Sequence, residues 1–125
     1  MCGVVGIVNI SRSINTPISK SLIKKMADTI IHRGPDESGF FCQEEIGLGH
    51  RRLSIIDIST GQQPMQSPEG DITIVFNGEI YNYIELRADL IKKGHHFLTQ
   101  SDTEVIIHLY QEYGLDFVSL LNGQF

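Results

Sequence analysis

Cys2 stands directly behind Met1 in the opening Met1-Cys2-Gly3-Val4-Val5-Gly6. Removal of Met1, which the small Cys2 side chain permits, would leave a thiol and a free α-amine on one residue. The amine titrates near ~7.7–8.0 and an unperturbed thiol near ~8.5, so at neutral pH the pair is poised for proton exchange and for thiolate attack on a carbonyl. The same residue also reads as a small apolar side chain at the start of an edge strand. Asn77-Gly78-Glu79 follows an apolar strand, where a glycine N–H and an asparagine amide aimed at one point would hold a developing oxyanion. Asn-Gly is equally the pair that closes a hairpin with both residues at positive φ, although a helix signal and not a partner strand follows it. His50-Arg51-Arg52 heads an apolar strand whose alternation sends the two guanidinium groups to opposite faces, so one of them can act as a bidentate carboxylate clamp. Both also read as solvated surface arginines. Asp102, just inside a helix start, either complements the helix dipole or accepts hydrogen bonds from an ammonium group.

Other chemistries find no support in the residue pattern. His32, His50 and His108 stand alone and His95-His96 would face opposite ways in a strand, so no zinc spacing arises and no metal site is assigned. Neither a Walker-type phosphate loop nor a dinucleotide glycine fingerprint is present. With 125 residues, 41% hydrophobic and 20% charged, the chain fits one soluble globular domain. A net charge of −5 without a long basic run argues against nucleic acid as a partner. The apolar opening Val4 to Ile10 is too short for a membrane span and lacks the basic lead-in of a secretory signal, which points to a cytoplasmic protein. Cys2 and Cys42 cannot build a disulfide framework, and Cys42, beside Phe40 and Phe41, reads as a buried structural thiol.

The elements that must position these groups alternate irregularly along the chain. Val4 to Ile10 is a β-branched run expected to be a mostly buried strand, ended by a turn at Asn15-Thr16-Pro17. Ser19 caps a helix with the stripe Leu22, Ile23, Met26, Ala27, Ile30 and Ile31, stopped before His32-Arg33-Gly34-Pro35-Asp36. Short strands are expected near 38–42, 46–49 and 52–56, a loop over 57–70, and a strand over 71–76. Asn82 with Glu85, and Ser101 with Glu104, read as capping boxes of two helices stopped by Gly94 and Gly114. Leu115 to Leu121 is expected to be helical, and Asn122-Gly123-Gln124-Phe125 reads as the start of another strand. This order gives an α+β fold with largely antiparallel sheets. An incomplete last strand would leave an open edge, so the chain is expected to be cut from a larger domain.

Five motifs taken together, Met1 to Gly6, His32 to Asp36, Gly49 to Ile55, Asn77 to Asn82 and Ser101 to Glu104, resemble class II glutamine amidotransferases in identity and order. They most resemble the glutaminase domain of glutamine-dependent asparagine synthetases, since members serving amino sugars or purine precursors usually carry tyrosine or glutamine where Pro35 stands. The resemblance implies a four-layer αββα sandwich of the N-terminal-nucleophile type, with residues 1–125 its N-terminal part and the synthetase domain absent. It implies that Cys2 attacks the side-chain amide of glutamine with its own α-amine as base, and that Asn77 and Gly78 hold the oxyanion. Arg52 would grip the substrate carboxylate, Asp102 with Glu79 the ammonium, and Leu53, Ser54, Ile55 and Ile56 would line the pocket. Glutamate and ammonia are the implied products. The ammonia would serve asparagine synthesis in a synthetase domain of the same full-length chain, where ATP and magnesium are expected. No cofactor is expected within these residues. A homo-oligomer, another ammonia acceptor such as a sugar or peptide, and a non-catalytic binding module remain open, and the isolated piece is expected to be weakly active or inactive.

Overall fold

A computed structural model describes residues 2–10, 17–53 and 61–125. Its largest sheet is antiparallel in the order β1-β3-β2, built from β1 (Gly3–Val8), β2 (Glu37–Gln43) and β3 (Ile46–Arg52). β1 was expected to be mostly buried, but only one of its faces is covered. Val4 and Val8 are exposed while Val5 and Ile7 are partly buried, the alternation of a strand packed on one side. The expected breaks within residues 46–56 are also absent up to Arg52, because His50 and Arg51 pair in register with β1 and β2 and keep β3 continuous.

Helix α1 (Lys20–Asp28) lies across one face of this sheet. Ser19 caps it as expected, its hydroxyl accepting from the Leu22 N–H at 3.2 Å. Ile23 and Ala27 point from the helix into the sheet and are fully buried, and each such apolar side chain of isoleucine size is worth ~1.5–3 kcal/mol. The strand side of this contact is glycine because nothing larger fits: a Cβ at Gly47 would lie 2.5 Å from Ile23 Cδ1. α1 ends at Asp28 and not at Ile31, since the Thr29 hydroxyl turns back to the Met26 carbonyl at 2.7 Å and a 3-10 turn, Ile31–Arg33, follows.

Beyond the large sheet, β4 (Met65–Gln66) pairs with β5 (Thr73–Ile74), and β6 (Glu79–Ile80) pairs with β7 (Gly123–Gln124), both antiparallel. The strand expected over 71–76 thus shrinks to two residues, and the loop expected over 57–70 contains β4. Helices α2 (Tyr83–Lys92) and α3 (Asp102–Tyr113) pack together through Leu90, Val105 and Leu109, with Phe97 and Phe117 against them. α3 is buried from Thr103 to Leu109, the signature of a helix enclosed on nearly all sides. Ser101 caps α3, accepting from the Thr103 N–H at 3.2 Å.

Neither capping box closes as expected. The Glu104 carboxylate accepts from the Leu98 and Thr99 N–H groups, both at 2.6 Å, and so braces the preceding loop. The Asn82 side chain makes no cap hydrogen bond; its amide donates to the Leu120 carbonyl at 3.0 Å and its oxygen accepts from the Asn122 N–H at 2.9 Å. That bracket holds the 3-10 segment Gly114–Leu120 and β7 against the start of α2. His95 and His96 lie in a loop, not a strand, and Cys42 is partly exposed. The expected α+β organisation with antiparallel sheets is what the chain adopts. The turn expected at Asn15-Thr16-Pro17 falls mainly on residues outside those described.

Candidate active site

The register of the large sheet decides which arginine faces which way. β3 alternates Gly47, Gly49 and Arg51 toward α1, where Arg51 donates to the Ala27 carbonyl at 3.3 Å and forms an ion pair with Asp28. Leu48, His50 and Arg52 therefore take the opposite face. Gly39, the β2 partner of His50, shows what covers that face: a Cβ there would lie 1.8 Å from the Gln63 carbonyl oxygen. Gly3 pairs with Arg51, so the same register continued by one residue sets Cys2 against Arg52 on the face away from α1. Cys2 is partly buried and in no disulfide. Met1 lies outside the described residues.

Arg52 is held in place before any ligand arrives. Its guanidinium meets Glu37 Oε2 at 3.1 Å, with the arginine side chain 12% exposed and the glutamate 33% exposed. The two line a cavity of about 440 Å³ together with Gly39, His50, Gln63 and Pro64. His50 is buried in its wall, and its Nε2 has no hydrogen-bond partner among the described residues. Burial depresses its pKa, the Arg52 charge adds to the depression, and the Phe76 backbone and Glu37 oppose it. The ring is thus held neutral near pH 7.

Asn77-Gly78 is not a hairpin turn. Neither residue is at positive φ, which a type I′ turn requires of both, and the chain runs on into β6 and α2. Gly78 is needed for space: a Cβ would lie 2.4 Å from the Gln124 carbonyl oxygen and 2.8 Å from Phe76 Cζ. The turn is pinned at both ends by side chains. The Phe76 N–H donates to Gln63 Oε1 at 2.5 Å, and the Ile80 N–H donates to Asp102 Oδ2 at 2.9 Å. Asp102 therefore does more than complement the α3 dipole, because it fixes the strand that leaves the turn. Glu79 is exposed in β6 and Leu53 is partly buried after β3. Ser54, Ile55 and Ile56 lie outside the described residues.

The pattern of residue types did not single out Glu37, His50 or Gln63. Glu37 becomes the partner of Arg52 only through the β2–β3 register, and Gln63 stands in a glycine- and proline-bearing loop. The adjacency of His50 to the two arginines was the one available signal. Among the described residues no group of three or more His, Cys, Asp or Glu side chains is arranged to hold a metal ion, and no helix is long and apolar enough to cross a membrane.

A family model described as a glutamine amidotransferase domain matches residues 1–125. Among curated relatives, the glutamine-hydrolyzing asparagine synthetase 1 of Bacillus subtilis strain 168 is 49% identical over 125 residues, covering 100% of this chain and 20% of the relative. The glutamine-hydrolyzing asparagine synthetase 2 of the same organism is 45% identical over 125 residues, covering 100% and 16%. The glutamine-hydrolyzing asparagine synthetase of Zea mays is 45% identical over 128 residues, covering 100% and 21%. The chain spans about a fifth of the length of these relatives.

Proposed function

We propose, from the premise that this chain belongs to the glutamine amidotransferase domain family, that it hydrolyses the side-chain amide of glutamine through a thioester on Cys2. The observation that supports the reading is the sheet register: Gly3 pairs with Arg51, and continuing that pairing by one residue would bring Cys2 opposite Arg52 on the face away from α1. With Met1 removed, the α-amine of Cys2 takes the thiol proton as sulfur bonds to the amide carbon. The oxygen of the tetrahedral intermediate becomes an anion facing the Gly78 N–H and the Asn77 amide, and loss of one such donor costs about 10²–10³ in rate. Collapse expels ammonia, which carries off the proton held by the amine, and leaves the thioester. Water then adds to the thioester carbonyl, and glutamate departs as the thiol is restored.

Each end of glutamine meets its complement. The α-carboxylate pairs with Arg52, and the Asp102 carboxylate, whose Oδ1 also accepts from the Thr103 hydroxyl at 3.5 Å, together with Glu79 takes the α-ammonium. The likeness to the family supports Leu53, Ser54, Ile55 and Ile56 as further substrate-binding residues. His50, neutral by burial, leaves Arg52 as the positive charge for the carboxylate in this wall. We assign the α+β arrangement to the αββα sandwich, with residues 1–125 the N-terminal part of its glutaminase domain. α1 on one face of the three-stranded sheet, and Ile72 to Ile74 lining a cavity with Phe41 and Leu48, support that assignment. The likeness to glutamine-hydrolyzing asparagine synthetases supports a further step, in which a synthetase domain of the full-length chain, using ATP and magnesium, takes up the ammonia to make asparagine. Two cysteines outside any disulfide fit a reducing, cytoplasmic setting. The test is glutamate release from glutamine by the full-length protein: the reading requires it to vanish in Cys2→Ala, and persistence would end the reading.

A further inference from the structure

Phe76, Asn77 and Gly78 belong to no strand ladder, so the N–H that enters the turn has no sheet partner and must find another acceptor. Gln63 provides it. Because the Phe76 N–H can only donate, the group 2.5 Å away must be the Gln63 side-chain oxygen, which fixes the orientation of the amide. Its NH2 end then donates to Thr103 Oγ1 at 3.4 Å. Thr103 adjoins Asp102, whose carboxylate holds the Ile80 N–H at the other end of the turn. Both ends of the Phe76 to Ile80 span are thus referenced to the first turn of α3. Gln63 is itself seated on β2 by the contact of its backbone with Gly39, and the same loop brings Gly61 within 3.9 Å of an Arg52 nitrogen, measured to a Cβ built on the glycine.

We propose that Gln63 is the positioning residue of the oxyanion turn. Its side-chain carbonyl fixes the Phe76 peptide and thereby the directions of the Gly78 N–H and the Asn77 amide, while its NH2 end ties that setting to the helix that carries Asp102. Gln63 touches no substrate atom in this role; it acts through the backbone. The inference rests on the reading of Asn77 and Gly78 as the oxyanion donors. A misplacement of ~1 Å at such donors costs on the order of 10²-fold in rate.

The experiment compares Gln63→Met, which keeps the side-chain length and loses both hydrogen bonds, with Gln63→Glu, which keeps an acceptor for the Phe76 N–H. Both are made in the full-length protein. The readouts are kcat and KM for glutamine, Kd for glutamate, and inhibition by glutamate γ-semialdehyde, whose carbonyl carbon bonds to the Cys2 sulfur while the thiol proton is available to its oxygen. Gln63→Met should lower kcat about 10²-fold and weaken the aldehyde in proportion, with KM and glutamate binding within about threefold of wild type, and should speed hydrogen exchange at the Phe76 amide. Gln63→Glu should recover most of kcat. An unchanged kcat in Gln63→Met, a parallel loss of glutamate binding, or a Gln63→Glu variant as slow as Gln63→Met would overturn the positioning role. A wild-type protein that neither hydrolyses glutamine nor binds the aldehyde would instead overturn the oxyanion reading, and the positioning role with it.

Discussion

Replacing Arg52 by alanine, beside the same change at Arg51, separates the two adjacent guanidiniums by what each face of the sheet does. In the free protein Arg52 pairs with Glu37 at 3.1 Å, and Glu37 is 33% exposed, so water can take over the glutamate when the arginine is removed. The stability cost of that pair is accordingly small, about 0–1 kcal/mol. Toward substrate the loss is larger, because a hydrogen bond to a charged group contributes ~1.5–3 kcal/mol and each ~1.4 kcal/mol is tenfold. KM for glutamine should therefore rise about 10- to 150-fold in Arg52→Ala, with kcat changed much less. Arg51 lies on the α1 side, bound to the Ala27 carbonyl and to Asp28, so Arg51→Ala should lower the unfolding temperature and leave KM near wild type. Steady-state glutamate release and thermal melts of both variants of the full-length protein make the comparison. A KM rise in Arg51→Ala with none in Arg52→Ala would refute the register argument.

Other perturbations address the turn, the ammonium partner and the acid limb of stability. Gly78→Ala places a Cβ 2.4 Å from the Gln124 carbonyl oxygen, so the turn must move, and kcat should fall about 10²–10³-fold as for loss of an oxyanion donor; single-turnover kinetics checks it. Asp102→Asn keeps an acceptor for the Ile80 N–H and loses the charge, so it should raise KM for glutamine about tenfold or more with little change in melting temperature, whereas Asp102→Ala should impair both. Burial depresses the pKa of His50 and, aided by the nearby His95, that of His108. Both rings are neutral when folded and protonate more readily when unfolded, so their contribution is present above the unfolded value of about 6.5 and is lost as pH falls below it. Melting temperatures should drop between pH 7 and pH 5, and a His50→Gln, His108→Gln double variant should flatten that slope.

The helices were legible because their ends carry chemistry. Ser19 and Ser101 cap, and Gly94 and Gly114 stop, as residue type alone suggests. Asn82 misled because an asparagine before a helix serves equally well as a bracket for a distant backbone segment, and the choice was made by Asn122, 40 residues on. Strands β4 to β7 have two residues each, too short for any period to show, and their pairing depends on tertiary contacts. Within the site, alternation already required Arg51 and Arg52 to part, but only packing against α1 assigns the faces. Gln63 was invisible because a glutamine in a loop has no sequence signature for a backbone clamp.

Peptide mapping of the full-length protein after exposure to an electrophilic glutamine analogue tests the central claim most directly. Cys42 provides an internal control, since its β3 partner Gly47 faces Ile23 and α1, which puts it on the face opposite Cys2. The account predicts that Met1 is absent, that a single adduct forms on Cys2, and that glutamine protects against it while Cys42 stays unmodified. Labelling at Cys42 in place of Cys2, or glutamine hydrolysis that survives in Cys2→Ala, would contradict it.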